Sequence, residues 1–528
     1  MSLTTFKPSV ISVLAVIAVL TSTSLVSAPI STATSATSAT RSRPVADITT
    51  SKTPLPRILS ETAERAPGQI VQIIIEKTGP SENTEQAVKL LGGKVSAKLD
   101  IIHAFVAEVR AGALPQLARL SSVRAIALDA PVKQSGGPDG TLNAGALQSV
   151  YDSAIGAERV WAQGYQGSSV TVAVVDSGWT GHEDFRATPS GGEMRLLTRV
   201  GFNGNETNLD DHYAHGVHVA GVIGGNGRKN NGMYIGVAPK VNLVSVKVSD
   251  GAGQGRLSGL LLGLQWIYTN RTAYNIRVVN LSLNSADAES YNTSPLDAAL
   301  EVLWFNGIVV VVSAGNNGSG TSGILYPPAN DPFVISVGAV DDHGTADLSD
   351  DTLAPFSAYG TTESGFAKPD IVAPGMNIVG PLASGGAELS KAHKDHLVNG
   401  KNDYFRMSGT SMSSAVVAGA VALLLQAEPN LTPDQVKYRL MNTSSRQVAM
   451  GGRNVPYLNI YNAIANPSTG SANTGVTESQ QLWTSGQPMV WNSVQWGSVE
   501  WNSVEWNSVE WNSVEWNSIA WSSDYWGR

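Results

Sequence analysis

Hydrophobic and polar positions divide the chain into stretches of different texture. Near the start an apolar run covers 10–20, and residues 29–67, rich in Ser, Thr, Ala and Pro without apolar periodicity, predict a solvated linker. At Gly68 the pattern changes. Residues 69–76 form a β-branched run, 82–91 carry helical spacing that stops at Gly92-Gly93, 94–109 predict one or two strands, 114–120 a helix and 123–128 a further strand. A β-α-β-β-α-β order within 68–133 predicts a small α+β, ferredoxin-like domain, an arrangement that many unrelated modules share.

From 156 to 466 strand-like and helical runs alternate, which predicts an α/β fold of three layers with a mostly parallel sheet covered on both faces. Strands are expected at 169–175, 242–248, 278–283, 308–312 and 333–337, and helices at 257–268 and 295–305. Ligands of open sheets gather beyond the carboxyl ends of the strands, where Asp176 ends the first strand and Asn316 follows the fourth. A small, hydroxylic stretch from Ser408 to Ser414 leads into an apolar run over 415–425 broken only by Gly419. That pattern predicts a buried helix with a tight entry and Ser411 at its N-terminus. Beyond 467 the texture changes again: Trp491, Trp496, Trp501, Trp506, Trp511, Trp516, Trp521 and Trp526 recur every five residues. A period of five keeps no single face of a strand or helix, which leaves a short turn-based repeat or an aromatic tract that orders on a partner.

Composition narrows the classes. A chain of 528 residues with 42% hydrophobic content exceeds one core and has ample material for it. Lys+Arg 35 against Asp+Glu 43 leave a net charge of −8 and no basic footprint for nucleic acid. With Cys 0, disulfides, thiol catalysis and cysteine-ligated metal centres are excluded. Lys7, the 10–20 run and the small residues through Ala28 have the three-part layout of a secretory signal over 1–28. Its apolar core is too short to span a bilayer, although a membrane anchor is the competing reading. The expectation is a secreted protein, extracellular or held at the cell surface.

A helix N-terminus favours developing negative charge, so a serine nucleophile and its oxyanion can share the Ser411 site. Otherwise Ser408, Thr410, Ser411, Ser413 and Ser414 are only caps and turn formers. An acyl-transfer serine also needs a base, a carboxylate that orients it, and oxyanion donors. Asp176 stands in Val174-Val175-Asp176-Ser177-Gly178, His215 opens His215-Gly216-Val217-His218-Val219-Ala220-Gly221, and Asn316 follows Ser313-Ala314-Gly315. Each is weak alone. Together, in the order Asp, His, Asn, Ser over 156–465, these motifs resemble the subtilisin-like serine peptidases, the subtilases of peptidase family S8.

The resemblance implies a secreted serine endopeptidase made as a self-processing zymogen. Ser411 is the implied nucleophile, His215 its base, Asp176 the group that orients the base, and Asn316 with the Ser411 backbone N–H the oxyanion hole. His218 matches a structural histidine of the family, and His212 has no family role. Ser282-Leu283-Asn284 resembles the segment that pairs with substrate backbone and Gly253-Gln254-Gly255 the opposite rim, so a protein or peptide substrate is expected to lie as an added strand. Ser313-Ala314-Gly315 supplies a small, uncharged pocket wall. Departures are Asn284 and Leu325 for usual glycines, Val217 for a threonine and Ala415 for a proline; the last loses first-turn rigidity and no catalytic group.

Catalysis of this kind implies no cofactor. Asn226, Asn230 and Asn231 resemble a family calcium loop with Asp184 at a further ligand position, and hard oxygen donors suit a structural calcium, while the same residues also make ordinary turns. Residues 68–133 become an inhibitor-type propeptide acting within its own chain, 134–155 a processing junction, 156–466 the catalytic domain and 467–528 a low-complexity tail. Tryptophan faces on a polar Asn-Ser-Glu background suit stacking on sugars, which points the tail at the cell envelope or a glycan. The expected state is a monomer. Rival readings are a catalytically silent binding module on the same fold, which the complete residue set opposes, and an attachment protein acting through the tail.

Overall fold

The computed structural model describes residues 53–482 apart from 135–149, 189–190, 204–206, 319–323, 384–385, 445 and 469. The signal segment, most of the processing junction and the tryptophan pentads lie outside the described residues.

Period-two alternation builds the first unit. It comprises α1 (Arg57–Arg65), β1 (Ile70–Lys77), α2 (Asn83–Leu90), β2 (Lys94–Leu99), β3 (Ala104–Arg110), α3 (Leu114–Leu117) and β4 (Val123–Leu128). The strands form an antiparallel sheet in the order β2-β3-β1-β4. Ile73 and Ile75 point to one face and pack with Phe105, Leu114 and Leu117 in the unit's own core, whereas Ile74, Val106 and Ala127 point to the other face and join the main core of the molecule. The expected β-α-β-β-α-β order is present, with 94–109 split in two at a turn where His103 takes a left-handed conformation. The expected linker is too long by one helix: α1 occupies 57–65 and buries Leu59. A polar helix holding one buried leucine leaves no apolar periodicity to read.

The larger unit contains β5 (Pro131–Gln134), β6 (Thr171–Asp176), β7 (Leu196–Gly201), α4 (His215–Gly224), β8 (Asn242–Lys247), β9 (Gln254–Arg256), α5 (Leu257–Asn270), β10 (Ile276–Leu281), β11 (Leu283–Ser285), α6 (Pro295–Phe305), β12 (Val309–Ser313), β13 (Ile335–Asp341), β14 (Ile371–Pro374) and α7 (Thr410–Ala427). Its sheet runs β7-β8-β6-β10-β12-β13-β14 with parallel neighbours, and Thr352–Leu353 adds an antiparallel edge on β13. Every residue of β6 and β12 is buried, as befits strands covered on both faces by the pairs α4 with α7 and α5 with α6. Strand order reverses around β6, so a crevice opens beyond the carboxyl ends of β6 and β10. α7 is apolar enough to cross a membrane by composition, but it is buried from Thr410 to Leu425 against α4, β10, β12, β13 and β14, which makes it a core helix.

The folded unit extends beyond the expected 156–466. Tyr151 is buried and donates its hydroxyl to Ile235 O at 2.8 Å, and Ser479 N donates to Glu301 Oε2 at 2.8 Å. These margins are held by hydrogen bonds to distant loops and by scattered apolar contacts, which leave no periodic signature.

The small sheet meets the larger unit through charge as well as apolar surface. Asp129 accepts Ser258 N at 2.7 Å and Ser258 Oγ at 2.8 Å, placing a carboxylate at the N-terminus of α5, where free N–H groups and the helix dipole favour it.

Candidate active site

β6 delivers Asp176 to the crevice, and α4 begins at His215 beside it. Asp176 Oδ1 lies 2.8 Å from His215 Nδ1, both groups fully buried, and also accepts Ser177 N at 2.7 Å. A carboxylate acceptor there puts the imidazole proton on Nδ1 and leaves Nε2 as the lone pair of a base. Gly216 permits the approach: a Cβ at that position would stand 2.6 Å from Gly178 O and 3.3 Å from the Asp176 Cβ.

Two residues that sequence reasoning passed over pin the start of α4. Asp211 accepts Ala214 N and Ser177 Oγ on one oxygen and Val217 N on the other, all at 2.8 Å, while Ser177 Oγ accepts Gly216 N at 2.8 Å. Burial pushes the Asp211 carboxyl above its usual range, opposed by those N–H donors. The staple holds Ala214 at φ 89°, a left-handed conformation rare for alanine, immediately before His215. The available signal was an acidic residue just ahead of a helix start.

Ser411, the second residue of α7, donates its hydroxyl to Ser282 O at 3.1 Å, and His215 Nε2 is buried without a hydrogen-bond partner. Ser282 itself is a hinge between β10 and α7: its Oγ accepts Asn280 Nδ2 at 2.9 Å and donates to Ser411 O at 3.2 Å. Asn316 is half-buried, and its Oδ1 accepts both Thr410 N at 3.0 Å and Thr410 Oγ1 at 2.9 Å. The amide is thereby oriented with its NH2 end as the group opposite Thr410, the donor an oxyanion requires. Thr410 Oγ1 in turn accepts Gly315 N at 3.1 Å.

His218 stands apart from this group. Its Nε2 lies 3.1 Å from both Ile378 O and Phe405 O, and burial together with nearby His215 pushes its pKa down to about 3, so it is a neutral structural donor.

The two expected rims bracket a strand of this same chain. β5 pairs antiparallel with β11 as Gln134 to Leu283, Lys133 to Asn284 and Val132 to Ser285, and with β9 as Lys133 to Gln254, Val132 to Gly255 and Pro131 to Arg256. A Cβ on Gly255 would lie 2.9 Å from Val132 Cγ2, so the glycine admits the added strand. Ser282 lies just outside this pairing, as does Gly253, which turns at φ 76° against the Tyr213 ring. In the small wall, Ser313 O accepts Asn284 Nδ2 at 3.4 Å and Ala314 packs with Ile324 and Ala329.

The residues of the expected calcium loop make contacts of their own. Asp184 Oδ1 accepts Lys229 N at 2.8 Å and Oδ2 accepts the Tyr404 hydroxyl at 2.5 Å, so this carboxylate ties the loop to the strand that carries Tyr404. Asn226 is spent on Arg186 O and Arg228 N, Asn230 lies in a single turn of 3-10 helix, and Asn231 is exposed in a left-handed cap. Lys229 beside Asp403, at 3.5 Å, adds positive charge to the same loop.

Residues 167–480 match the model of the subtilase family. Serine protease AprX of Bacillus subtilis (strain 168) is 37% identical over 362 residues, covering 67% of this chain and 76% of the relative. Subtilisin DY of Bacillus licheniformis is 32% identical over 292 residues, 55% of this chain and 89% of the relative. Among solved structures, fervidolysin from Fervidobacterium pennivorans, described as a keratinolytic enzyme related to subtilisin, superposes with a TM-score of 0.58 at 24% identity, over 76% of this chain and 62% of that one.

Proposed function

Since the chain belongs to the subtilase family and is a subtilisin-like serine endopeptidase, we propose that Asp176, His215 and Ser411 are its catalytic triad and that it is exported as a zymogen inhibited by its own N-terminal domain. The observation that carries the first part is the buried 2.8 Å contact between Asp176 Oδ1 and His215 Nδ1, which keeps the proton on Nδ1 and leaves Nε2 as the base. For attack the Ser411 hydroxyl leaves Ser282 O and gives its proton to His215 Nε2, while Oγ bonds to the carbonyl carbon of an extended substrate; such hydrogen bonds commonly form only in the loaded complex. The carbonyl oxygen becomes an oxyanion facing Asn316 Nδ2 and the Ser411 N–H at the N-terminus of α7. His215 then passes the proton to the departing amine, and water, deprotonated by the same nitrogen, releases the acyl group. Asp176 stays ionised and holds the imidazolium in place.

Asn316→Leu is expected to keep the fold and the capacity for labelling by a serine-directed phosphonate, yet to lower kcat by roughly 10²- to 10³-fold with little change in KM. Steady-state kinetics on a chromogenic peptide measure this, and an unaltered kcat removes Asn316 from the oxyanion hole.

The second part rests on β5. Two strands of the peptidase unit pair with it as they would with substrate, and Asp129 seats the adjoining domain on α5. Residues 53–134 supplied in trans are therefore expected to inhibit the mature enzyme at micromolar concentration, and Asp129→Ala to weaken that inhibition by about tenfold or more. Titration against the same chromogenic peptide decides it; a segment without effect at micromolar excess removes the zymogen reading.

A further inference from the structure

A second cluster of chemistry-bearing side chains lies away from the triad, in the loop between the strands Ile378–Pro381 and Tyr404–Met407. A helix, Glu388–Ala392, runs into a turn of 3-10 helix at Lys394–His396. His393 sits between them with its ring edge-on to that of His396, centroids 5.7 Å apart. His393, Asp395 and His396 each offer one ligand-type atom within 4.8 Å of the other two, the one such group among the described residues.

His396 is the informative member. It is 1% exposed and packs on Phe405, ring centroids 5.7 Å apart. Its Nδ1 stands 3.1 Å from Arg406 O, which can only accept, so Nδ1 carries the proton and Nε2 keeps a lone pair. That Nε2 is buried without a hydrogen-bond partner, and Asp395 Oδ2 is 3.7 Å away. A buried acceptor with no donor is destabilising, so something should meet it. An imidazole fixed through Nδ1–H to a backbone carbonyl, its lone pair facing another imidazole and a carboxylate, has the outer-shell support of a metal-binding histidine.

We propose that His393, Asp395 and His396 bind one Zn²⁺ ion, with water in the fourth position. Two imidazoles and a carboxylate suit zinc and are poor company for calcium or magnesium, which prefer oxygen alone. Asp395 is 67% exposed at its side chain, which gives the ion a route in and lets the carboxylate turn onto it. The site adjoins the catalytic base without touching it. Glu388 N donates to His212 O at 2.8 Å and Leu389 N to Tyr213 O at 3.4 Å, while Phe405, under the His396 ring, supplies the carbonyl that meets His218 on α4. The ion therefore ties this loop to the residues preceding His215 and acts on stability.

The test uses the full chain carrying Ser411→Ala to prevent self-digestion, stripped with chelator and titrated with ZnCl2 by calorimetry. Saturable uptake of one ion per chain is expected, with a higher thermal midpoint and a zinc-edge absorption spectrum showing two imidazole nitrogens. His393→Ala and Asp395→Ala change partly and largely exposed residues, so the fold should survive, and each should weaken zinc binding by roughly tenfold or more. Zinc uptake equally strong in both variants overturns the proposal. So does failure of the Ser411→Ala chain to bind zinc, or stabilisation by CaCl2 where ZnCl2 gives none.

Discussion

Ser411→Ala is expected to lower kcat by roughly 10⁶-fold, the loss that removal of the nucleophile carries in subtilisin itself. In the proposed triad the hydroxyl is the group that forms and breaks the bond to the acyl carbon, and methyl in its place can neither attack nor hand a proton to His215. Binding should change little, because Leu283, Asn284 and the β9 rim, which pair with β5 through backbone, are untouched by the change. The same substitution should leave the 134–155 junction intact, since on the proposed zymogen reading one nucleophile serves both reactions. Peptide turnover and intact mass measured on one preparation check both statements. Loss of less than about tenfold, or a normally processed chain, gives the nucleophile's role to another residue.

Asp176→Asn is the second large effect, about 10⁴-fold in kcat with the fold retained. Asp176 accepts the Nδ1 proton of His215 at 2.8 Å. An amide NH2 in that place needs an acceptor, which moves the imidazole proton to Nε2 and removes the lone pair that faces the crevice. The neighbouring support survives, because Asp211 and Ser177 hold the start of α4 independently. Circular dichroism and the thermal midpoint should match the parent while kcat/KM falls. If activity falls only a fewfold, orientation of the base by Asp176 is not what catalysis depends on.

The parts of this site that could be read from sequence are those in which a chemical group coincides with a local pattern. Asp176 ends a buried apolar strand, His215 opens a helix through glycine, and Ser411 opens a long apolar helix, so each is visible in a window of about ten residues. Asp211 left only the weak signal of an acidic residue ahead of a helix start, because it acts on N–H groups three to six residues ahead, from a polar stretch with no period. The docking of Asp129 on Ser258 joins positions 129 residues apart, and only the assembled fold brings them together. The calcium loop was ambiguous for the same reason. Asn and Asp in a loop are equally good as ligands and as turn formers, and the group that decides at Asp184 is Tyr404, 220 residues away. Periodicity likewise located β6 and β12 to within a few residues, yet it was silent on α1, whose burial rests on Leu59 alone.

The position of β5 between β9 and β11 also bears on timing. As long as the chain is continuous, this segment faces its cleft at an effective concentration on the order of millimolar, whatever the number of molecules present. Severing the junction removes none of the pairing, but it converts a tethered segment into a separate solute whose occupancy follows the law of mass action. On the proposed zymogen reading, the same cut molecule would then be silent where copies are crowded and open where they are sparse. Spreading into a large volume would itself switch the enzyme on, and the delay before activity would lengthen with the number of enzyme copies sharing that volume.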